Sequence, residues 1–185
     1  MKEVSVHTLR QIIQCDFNTG LLFWLPRPEC FFRDTPRRLA AHSARIWNAR
    51  YPGEPALTAV CAGYRVGSVM GKACRAHRVV WALAHGQWPV DEIDHINGDR
   101  ADNRLVNLRS VTGAENKRNK RTPSNNKSGA VGVFWLRDNK TWRAAIRVAG
   151  RQTHIGCYAT FDEAVSARKA AEVEHDYHPN HGRNA

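Results

Sequence analysis

The chain has 185 residues and a formal net charge of +11 at pH 7, from 28 Lys and Arg against 17 Asp and Glu. Its apolar content of 42% excludes a fully disordered chain, and its mean hydropathy of -0.54 indicates small cores with much polar surface. Few of the basic residues are Lys, and Arg binds phosphates and guanine edges bidentately, so the charge favours nucleic acid over a membrane surface. A basic protein without such a partner is the alternative.

The five cysteines are odd in number and form no CxxC pair, which argues against a disulfide framework and against a Cys-rich zinc site. The first 14 residues are amphipathic rather than a signal peptide, and no apolar run approaches membrane-spanning length. We therefore expect a cytoplasmic protein with reduced thiols and no membrane partner.

The N-terminal region combines one short helix with a long basic stretch. Ser5 is placed to cap the helix, and a turn at 18–20 leads into an apolar run at 21–25. The helix has apolar residues at helical spacing: Val6, Leu9, Ile12 and Ile13. Residues 26–56 are rich in Pro and Arg with scattered aromatics, which predicts an irregular basic segment, either an arm lying on DNA or a solvated loop.

The central region is predicted to alternate strands and helices. Residues 64–68 and 72–75 should form two strands joined at Met70-Gly71. A helix is expected over 77–85, with Gly86 at its end.

A second strand pair is predicted further along the chain, with one strand near 91–95 and a return strand over 105–109. Thr112 begins a capping box, so a helix should start there. Residues 117–127 carry five positive charges and no negative one, and Pro123 breaks any helix among them, which predicts a basic linker.

The C-terminal region is predicted to be a three-stranded sheet with one helix. The strands are expected near 131–136, 141–149 and 151–158, and the helix opens with a second capping box at Thr160.

Charge is sorted between the two parts of this region. Residues 128–159 hold five basic residues and one acidic residue, whereas residues 160–178 hold two basic and five acidic residues. Arg143 and Arg147 alternate with apolar residues along their strand, so they share the face away from the helix. The sheet, rather than the helix, is therefore expected to meet DNA.

Asp94 and His95 lie at the end of a predicted strand, and Asn116 lies in the first turn of a predicted helix. A carboxylate and an amide oxygen leave the other positions of one hard cation to water and phosphate, as Mg2+ prefers. Neighbours on a strand point to opposite sides, so His95 can face a water behind the scissile phosphorus as a general base. Soft ligands are missing, which disfavours catalytic zinc. Asn103 and Asn107 are expected to support the turn and hairpin rather than the chemistry.

Over about 77–119 the sequence resembles the HNH homing-type endonucleases with a ββα-metal site. The residues that carry the resemblance are Ala76-His77-Arg78, Ile93-Asp94-His95-Ile96-Asn97-Gly98-Asp99, Asp102-Asn103, Asn107-Leu108-Arg109 and Asn116 to Asn119. The resemblance implies that Asp94 and Asn116 bind the metal and that His95 is the general base. It also implies that Asn107 bonds across the hairpin and orients the base. Asn116 at the last motif position favours Mg2+, with Mn2+ as a substitute.

Residues 128–176 resemble the APETALA-type (ethylene-response-factor) DNA-binding domain. The matching residues are Gly129-Ala130-Val131-Gly132-Val133, Trp142-Arg143-Ala144-Ala145-Ile146, His154-Ile155-Gly156 and Tyr158-Ala159-Thr160-Phe161-Asp162-Glu163-Ala164. The resemblance places Arg147 where those proteins have a groove-reading arginine. Phe134, Leu136, Gln152 and His154 replace reader residues of the plant proteins, so their target sequence is not carried over. A packing or protein-binding module is the alternative.

The predicted fold class is α+β, with a ββα-metal nuclease core plus a three-stranded antiparallel sheet packed on one helix. The predicted domains are an N-terminal helix and basic region (1–62), the nuclease (63–120), a linker (121–128), the DNA-binding module (129–178) and a tail (179–185). The predicted DNA contacts are Arg109, Lys117, Arg118, Asn119, Lys120, Arg121, Arg143, Arg147, Arg151 and His154.

These features predict a phage- or mobile-element-style endonuclease that hydrolyses a phosphodiester of double-stranded DNA with one Mg2+ and no structural zinc. One such site cuts one strand, so a monomer or weak dimer should nick or make a homing-type cut. The rivals are a catalytically silent DNA-binding regulator with the same fold and an RNA-directed or structure-specific nuclease.

Overall fold

The computed structural model describes residues 3–118, 122, 125–179 and 181–182, and at 114, 117 and 118 it describes the backbone alone. The chain divides into two compact units, Met1–Ser110 and Val111–Ala185. Helices and small sheets of two or three strands alternate, so the fold class is α+β as predicted. Within the described ranges no helix is long and apolar enough to span a membrane.

The elements that begin in the first unit are, in chain order, α1 (Val6–Ile12), β1 (Ile13–Asp16), β2 (Leu21–Trp24), a 3-10 turn (Glu29–Phe31), α2 (Ala40–Arg50), β3 (Ala59–Cys61), β4 (Tyr64–Val69), β5 (Lys72–Arg75), α3 (Ala76–His85), β6 (Glu92–His95), a second 3-10 turn (Leu105–Asn107) and β7 (Leu108–Val111). Those of the second unit are α4 (Gly113–Arg118), β8 (Val133–Leu136), β9 (Thr141–Val148), β10 (Arg151–Tyr158) and α5 (Phe161–Glu174).

The N-terminal helix forms as predicted. The hydroxyl of Ser5 accepts a hydrogen bond from the backbone N–H of Thr8 at 3.0 Å, which caps α1. Leu9 and Ile12 have no exposed surface. The strand β1 follows α1 directly and pairs antiparallel with β2 through the turn that ends at Gly20.

The prediction of an irregular segment over 26–56 is wrong, because α2 lies in the middle of it. Trp47 packs edge-on against Trp24 with the ring centroids 5.4 Å apart, and Tyr51 packs against Trp47 at 4.1 Å. The guanidinium of Arg27 lies 3.5 Å from the centroid of the Trp47 ring. Trp47 and Tyr51 are one helical turn apart, which is typical of a helix. The prediction of an irregular segment followed the Pro and Arg content of the surrounding residues instead.

One hydrophobic core extends through the first unit from Val4 to Leu108. Residues of α1, β2, α3 and β6 all contribute to it, so the predicted boundary between 62 and 63 runs through a shared core. The strand β3, which pairs antiparallel with β4, was not predicted.

The central helix and the strands that flank it agree closely with prediction. The helix α3 starts at Ala76 and ends where Gly86 adopts a left-handed conformation at φ +75°. The strands β4 and β5 pair antiparallel, and β6 pairs with β7. The predicted return strand is wrong over Leu105–Asn107, which form a 3-10 turn with Asn107 N–H bonded to Arg104 O at 2.9 Å.

The second unit contains the predicted three-stranded antiparallel sheet, in the order β10-β9-β8, packed on α5. Ala144 and Ala164 have no exposed surface, and their small side chains let the sheet and the helix approach closely. Both bonds of the capping box between Thr160 and Glu163 form at the start of α5.

A buried arginine on α5 was not predicted. Arg168 is 5% exposed, and its Nη1 donates to the carbonyl of Ala145 at 2.9 Å. Its Nε donates to Glu172 at 3.0 Å, so the charge is paired inside the unit. The sequence analysis counted Arg168 only as one of the two basic residues of 160–178, because sequence spacing does not show that its side chain reaches Ala145 of β9.

Candidate functional site

The end of β6 places two titratable side chains in the interior of the first unit. Asp94 is 8% exposed and His95 is 4% exposed. Ionisable groups are buried to this extent only where other groups compensate for the lost water. Each of the two has its own set of partners.

The carboxylate of Asp94 is paired with Arg109 on the neighbouring strand β7. Nε and Nη2 of Arg109 donate to Oδ2 of Asp94 at 3.1 and 2.8 Å. Such a charge-assisted pair fixes the direction of the carboxylate. The sequence placed both residues in one motif but did not show that they bind each other.

The imidazole of His95 is held by one amide and two rings. Its Nε2 lies 3.3 Å from Oδ1 of Asn103, and its ring lies 4.9 Å from His77 and 5.9 Å from Tyr64 between centroids. Burial lowers the pKa of His95, while the bond to Asn103 and the carboxylates of nearby aspartates act in the opposite direction. Because Oδ1 of Asn103 can only accept, Nε2 carries the proton and Nδ1 is the basic nitrogen.

The group of rings around His95 was not found from the sequence. His77 is 3% exposed, and burial, followed by the charges of His95 and nearby arginines, lowers its pKa to about 3. The guanidinium carbons of Arg75 and Arg100 lie 4.8 and 4.9 Å from the centroid of the Tyr64 ring. These residues come from β4, β5, α3 and the hairpin loop, and no spacing in the sequence relates them.

Asn107 ties together the loop between β6 and β7. Its Oδ1 accepts from the backbone N–H of Asn97 at 3.0 Å, and its Nδ2 donates to Asn97 Oδ1 at 3.0 Å and to Asp102 O at 2.8 Å. Asn97 in turn donates to the carboxylate of Asp102 at 2.8 Å. The side chain of Asn107 therefore bonds across the hairpin, while Asn103 contacts His95 directly.

Asn103 is itself supported by the N-terminal hairpin. The turn at Gly20, with φ +72°, lies so close that an added Cβ would overlap the backbone of Asn103 and Arg104. The backbone N–H of Leu105 also donates to Phe17 O at 3.1 Å. The sequence marked Gly20 as a turn residue but did not show which segment it touches.

The remaining residues of the predicted site belong to the second unit. Asn116 lies on α4, and its backbone N–H donates to Thr112 O at 3.0 Å. The capping box forms as predicted, with Glu115 bonded to the backbone and hydroxyl of Thr112. Of the predicted phosphate-binding residues, Asn119, Lys120 and Arg121 lie outside the described residues, as do the side chains of Lys117 and Arg118.

The predicted DNA-contacting residues of the second unit lie on its sheet. Arg147, Arg151 and His154 are exposed, and Arg143 is half-buried. Nε of Arg143 donates to Nδ1 of His154 at 3.2 Å across the pairing of β9 and β10. The hydroxyl of Tyr177 donates to Arg147 O at 2.7 Å, which ties the end of β9 to the segment after α5.

The carboxylate of Asp94 is a hard oxygen donor of the kind that Mg2+ prefers. Among the described residues no group of three or more His, Cys, Asp or Glu side chains is placed to hold a metal ion. The first unit instead contributes one buried carboxylate at the end of β6, Asp94, which is paired with Arg109. Mg2+ is bound in proteins with few protein ligands and several positions left to water and phosphate.

The comparison with known proteins agrees with the motif around Asp94. The family described as HNH endonuclease matches residues 74–118. Protein 3.8 of Escherichia phage T7 is 39% identical over 82 residues, which cover 44% of this chain and 68% of the phage protein. The chain belongs to the same family as this phage protein, and it carries an HNH endonuclease domain over residues 74–118. No solved structure matches it significantly.

The HNH match extends from β5 to α4 and includes Asp94, His95, Asn107 and Asn116. The HNH domain match indicates a nuclease or DNA-binding function, and the similarity to Protein 3.8 links the chain to phage proteins.

Proposed function

We propose that the chain is an endonuclease that hydrolyses a phosphodiester of double-stranded DNA with one Mg2+ ion, by nicking or homing-type cleavage. The observation that carries the proposal is the buried Asp94-His95 pair at the end of β6, each side chain held by its own partner. The HNH match over residues 74–118 supports it. Mn2+ is expected to substitute for Mg2+ in this donor set.

His95 is proposed to act as the general base. With Nε2 protonated and bonded to Asn103, Nδ1 takes a proton from the water that attacks phosphorus. The rings of His77, which is buried, and of Tyr64, which is half-buried, pack against the imidazole and restrict its orientation. Asn103 is therefore a positioning residue for the base, and Asn107 holds the loop that carries Asn103.

Asp94 and Asn116 are proposed to hold the metal. A bound Mg2+ would supply positive charge that stabilises the phosphate oxygens and the leaving oxygen in the transition state. Arg109 neutralises Asp94 and keeps its carboxylate in one orientation.

The sheet of the second unit is proposed to bind DNA through Arg143, Arg147, Arg151 and His154. The side chains of the last three are exposed, and the helix on the other face carries the acidic charge. The APETALA-type resemblance of residues 128–176, a region that the family match over 74–118 does not include, suggested the same face. Arg109, Lys117, Arg118, Asn119, Lys120 and Arg121 are proposed as phosphate contacts at the end of the nuclease motif.

The proposed function is tested by incubating the protein with supercoiled plasmid in the presence of Mg2+, of Mn2+ or of EDTA. We expect conversion to the open circle with either metal and none with EDTA. Plasmid that is shifted on a gel but not cut under any of these conditions would favour the silent DNA-binding regulator. The substrate set includes plasmids that carry the DNA around the chain's own gene, since a site-specific nuclease needs its target.

Arg147→Ala is expected to weaken discrimination among DNA sites more than it slows cleavage of a saturating substrate. A groove-reading arginine contributes about 1 to 3 kcal/mol to discrimination between bases. The measurement is the distribution of cut sites on a plasmid library. Arg137→Ala is the matched control, because Arg137 is also exposed in the second unit and lies in the turn between β8 and β9. Equal site distributions for wild type and Arg147→Ala would contradict the prediction.

A further inference from the structure

We propose that α2 and the turn before it form a second surface for the phosphates of double-stranded DNA, outside the β6–β7 hairpin. This α2 basic surface consists of Arg33, Arg37, Arg38 and Arg45, whose side chains are all exposed. The inference rests on the proposed function in one respect, because it takes duplex DNA as the ligand of the chain.

Charge on this surface is uncompensated in the part of the chain that the structure describes. Residues 26–50 contain six arginines and two acidic residues. Asp34 uses its carboxylate to accept the backbone N–H of Ala40 at 2.7 Å, at the start of α2. Within the described ranges Glu29 forms no ion pair, and none of the four surface arginines is paired with a carboxylate.

The backbone that presents these arginines is fixed by local bonds. Thr35 and Arg38 exchange backbone hydrogen bonds at 2.9 and 3.1 Å, and the hydroxyl of Thr35 also donates to Arg38 O at 3.1 Å. Arg45 lies on the helix and donates to Nδ1 of His42 at 3.3 Å. The four arginines carry like charges on one short, exposed segment, and a polyanion relieves repulsion between like charges.

The helix itself is anchored to the core of the first unit. Asn48 of α2 and the backbone of Arg27 exchange hydrogen bonds at 2.8 and 3.0 Å. The buried guanidinium of Arg27 stacks on Trp47, and burial lowers the pKa of Arg27 to about 10. A helix held in this way loses little conformational freedom when it binds a ligand.

Duplex DNA fits the α2 basic surface better than a second copy of this chain does. In a two-fold interface the same patch would meet itself, and the unpaired arginines of both copies would then face each other. Leu39 is 66% exposed and Ile46 is 41% exposed beside the arginines. Apolar side chains flanked by arginines can contact thymine methyl groups while the guanidiniums bind phosphates.

The test measures binding of a fluorescent duplex by anisotropy in EDTA, where cleavage is absent, at a series of salt concentrations. For the double variant Arg38→Ala/Arg45→Ala we expect affinity to fall about tenfold or more. The slope of log affinity against log salt should become shallower by about 2, since each phosphate contact contributes about 0.9. Arg38→Lys/Arg45→Lys keeps the charge and should keep most of the slope. Arg10→Ala removes a charge of α1 and one hydrogen bond to Leu83 O at 3.3 Å, so it reports the effect of net charge when its thermal midpoint stays close to that of wild type.

An unchanged salt slope in Arg38→Ala/Arg45→Ala, with a thermal midpoint like that of wild type, would overturn the inference. The inference would also be overturned if the double variant lost no more duplex affinity per charge removed than Arg10→Ala does. A wild-type dimer that dissociates in the double variant would overturn it as well. Because this readout needs neither metal nor cleavage, the two proposals fail separately. If wild type nicks plasmid but Arg38→Ala/Arg45→Ala keeps the wild-type salt slope, only the α2 basic surface is rejected. If wild type never cuts but Arg38→Ala/Arg45→Ala shows the shallower salt slope, only the nuclease assignment is rejected.

Discussion

Replacing His95 with Ala is expected to slow Mg2+-dependent nicking of plasmid about 100- to 10,000-fold, the usual contribution of a general base. Binding of the duplex in EDTA should change little, because His95 is buried and its proposed contribution is to proton transfer. The measurement is the single-turnover rate of nicking at saturating protein, together with the binding isotherm.

Two further variants separate chemistry from folding at this position. His95→Gln can keep a hydrogen bond to Asn103 but has no imidazole to accept the proton, so it should be as slow as His95→Ala. His7→Ala removes an exposed histidine of α1 and should cut at the wild-type rate. Retention of wild-type nicking by His95→Ala would reject His95 as the base. Loss of nicking in His7→Ala would show that the assay reports something other than this site.

Gly20→Ala is expected to lower the free energy of unfolding by about 2 to 5 kcal/mol. A left-handed alanine costs about 1 to 2 kcal/mol, and forcing an atom into a packed contact costs about 1 to 3 more. The added Cβ would overlap the backbone of Asn103 and Arg104, which must then shift. Since Asn103 holds His95, nicking should also slow under conditions where the variant remains folded. Urea unfolding and single-turnover nicking measure the two effects.

Gly71→Ala is a closely matched control. Its φ of +75° is nearly that of Gly20 at +72°, but no other atom lies within 4 Å of the added Cβ. It should therefore show the conformational cost alone, about 1 to 2 kcal/mol, and leave nicking unchanged. Equal losses of stability in the two variants would show that the contact between the N-terminal turn and the hairpin loop is unimportant.

The sequence predicted elements whose signals lie within a few residues. Ser5 caps α1, Gly86 ends α3, and Thr160 and Glu163 form their capping box, because each bond joins atoms one helical turn apart. Two of the apolar residues that alternate with Arg143 and Arg147 on β9, Trp142 and Ala144, pack in one cluster with Ala164 of α5, as the alternation predicted. For α2 the same local reasoning failed, because Pro and Arg dominate the composition of 26–56 while the helix depends on Trp24 and Arg27 for its packing.

At the candidate site the sequence by itself identified the residues that can bind a metal ion and transfer a proton. Asp94, His95, Asn107 and Asn116 were identified as an ordered set, and the HNH match covers the same residues. Their roles in binding metal and moving a proton remain predictions.

Only the tertiary structure decided which other side chains contact these residues. It placed Arg109 on Asp94, Asn103 and His77 on His95, and Gly20 against the hairpin loop. These contacts join residues from 8 to 83 positions apart, as the pairs 95–103 and 20–103 show. Local patterns fix helices and turns because their atoms are neighbours along the chain, whereas such contacts arise only when a shared core folds the segments together.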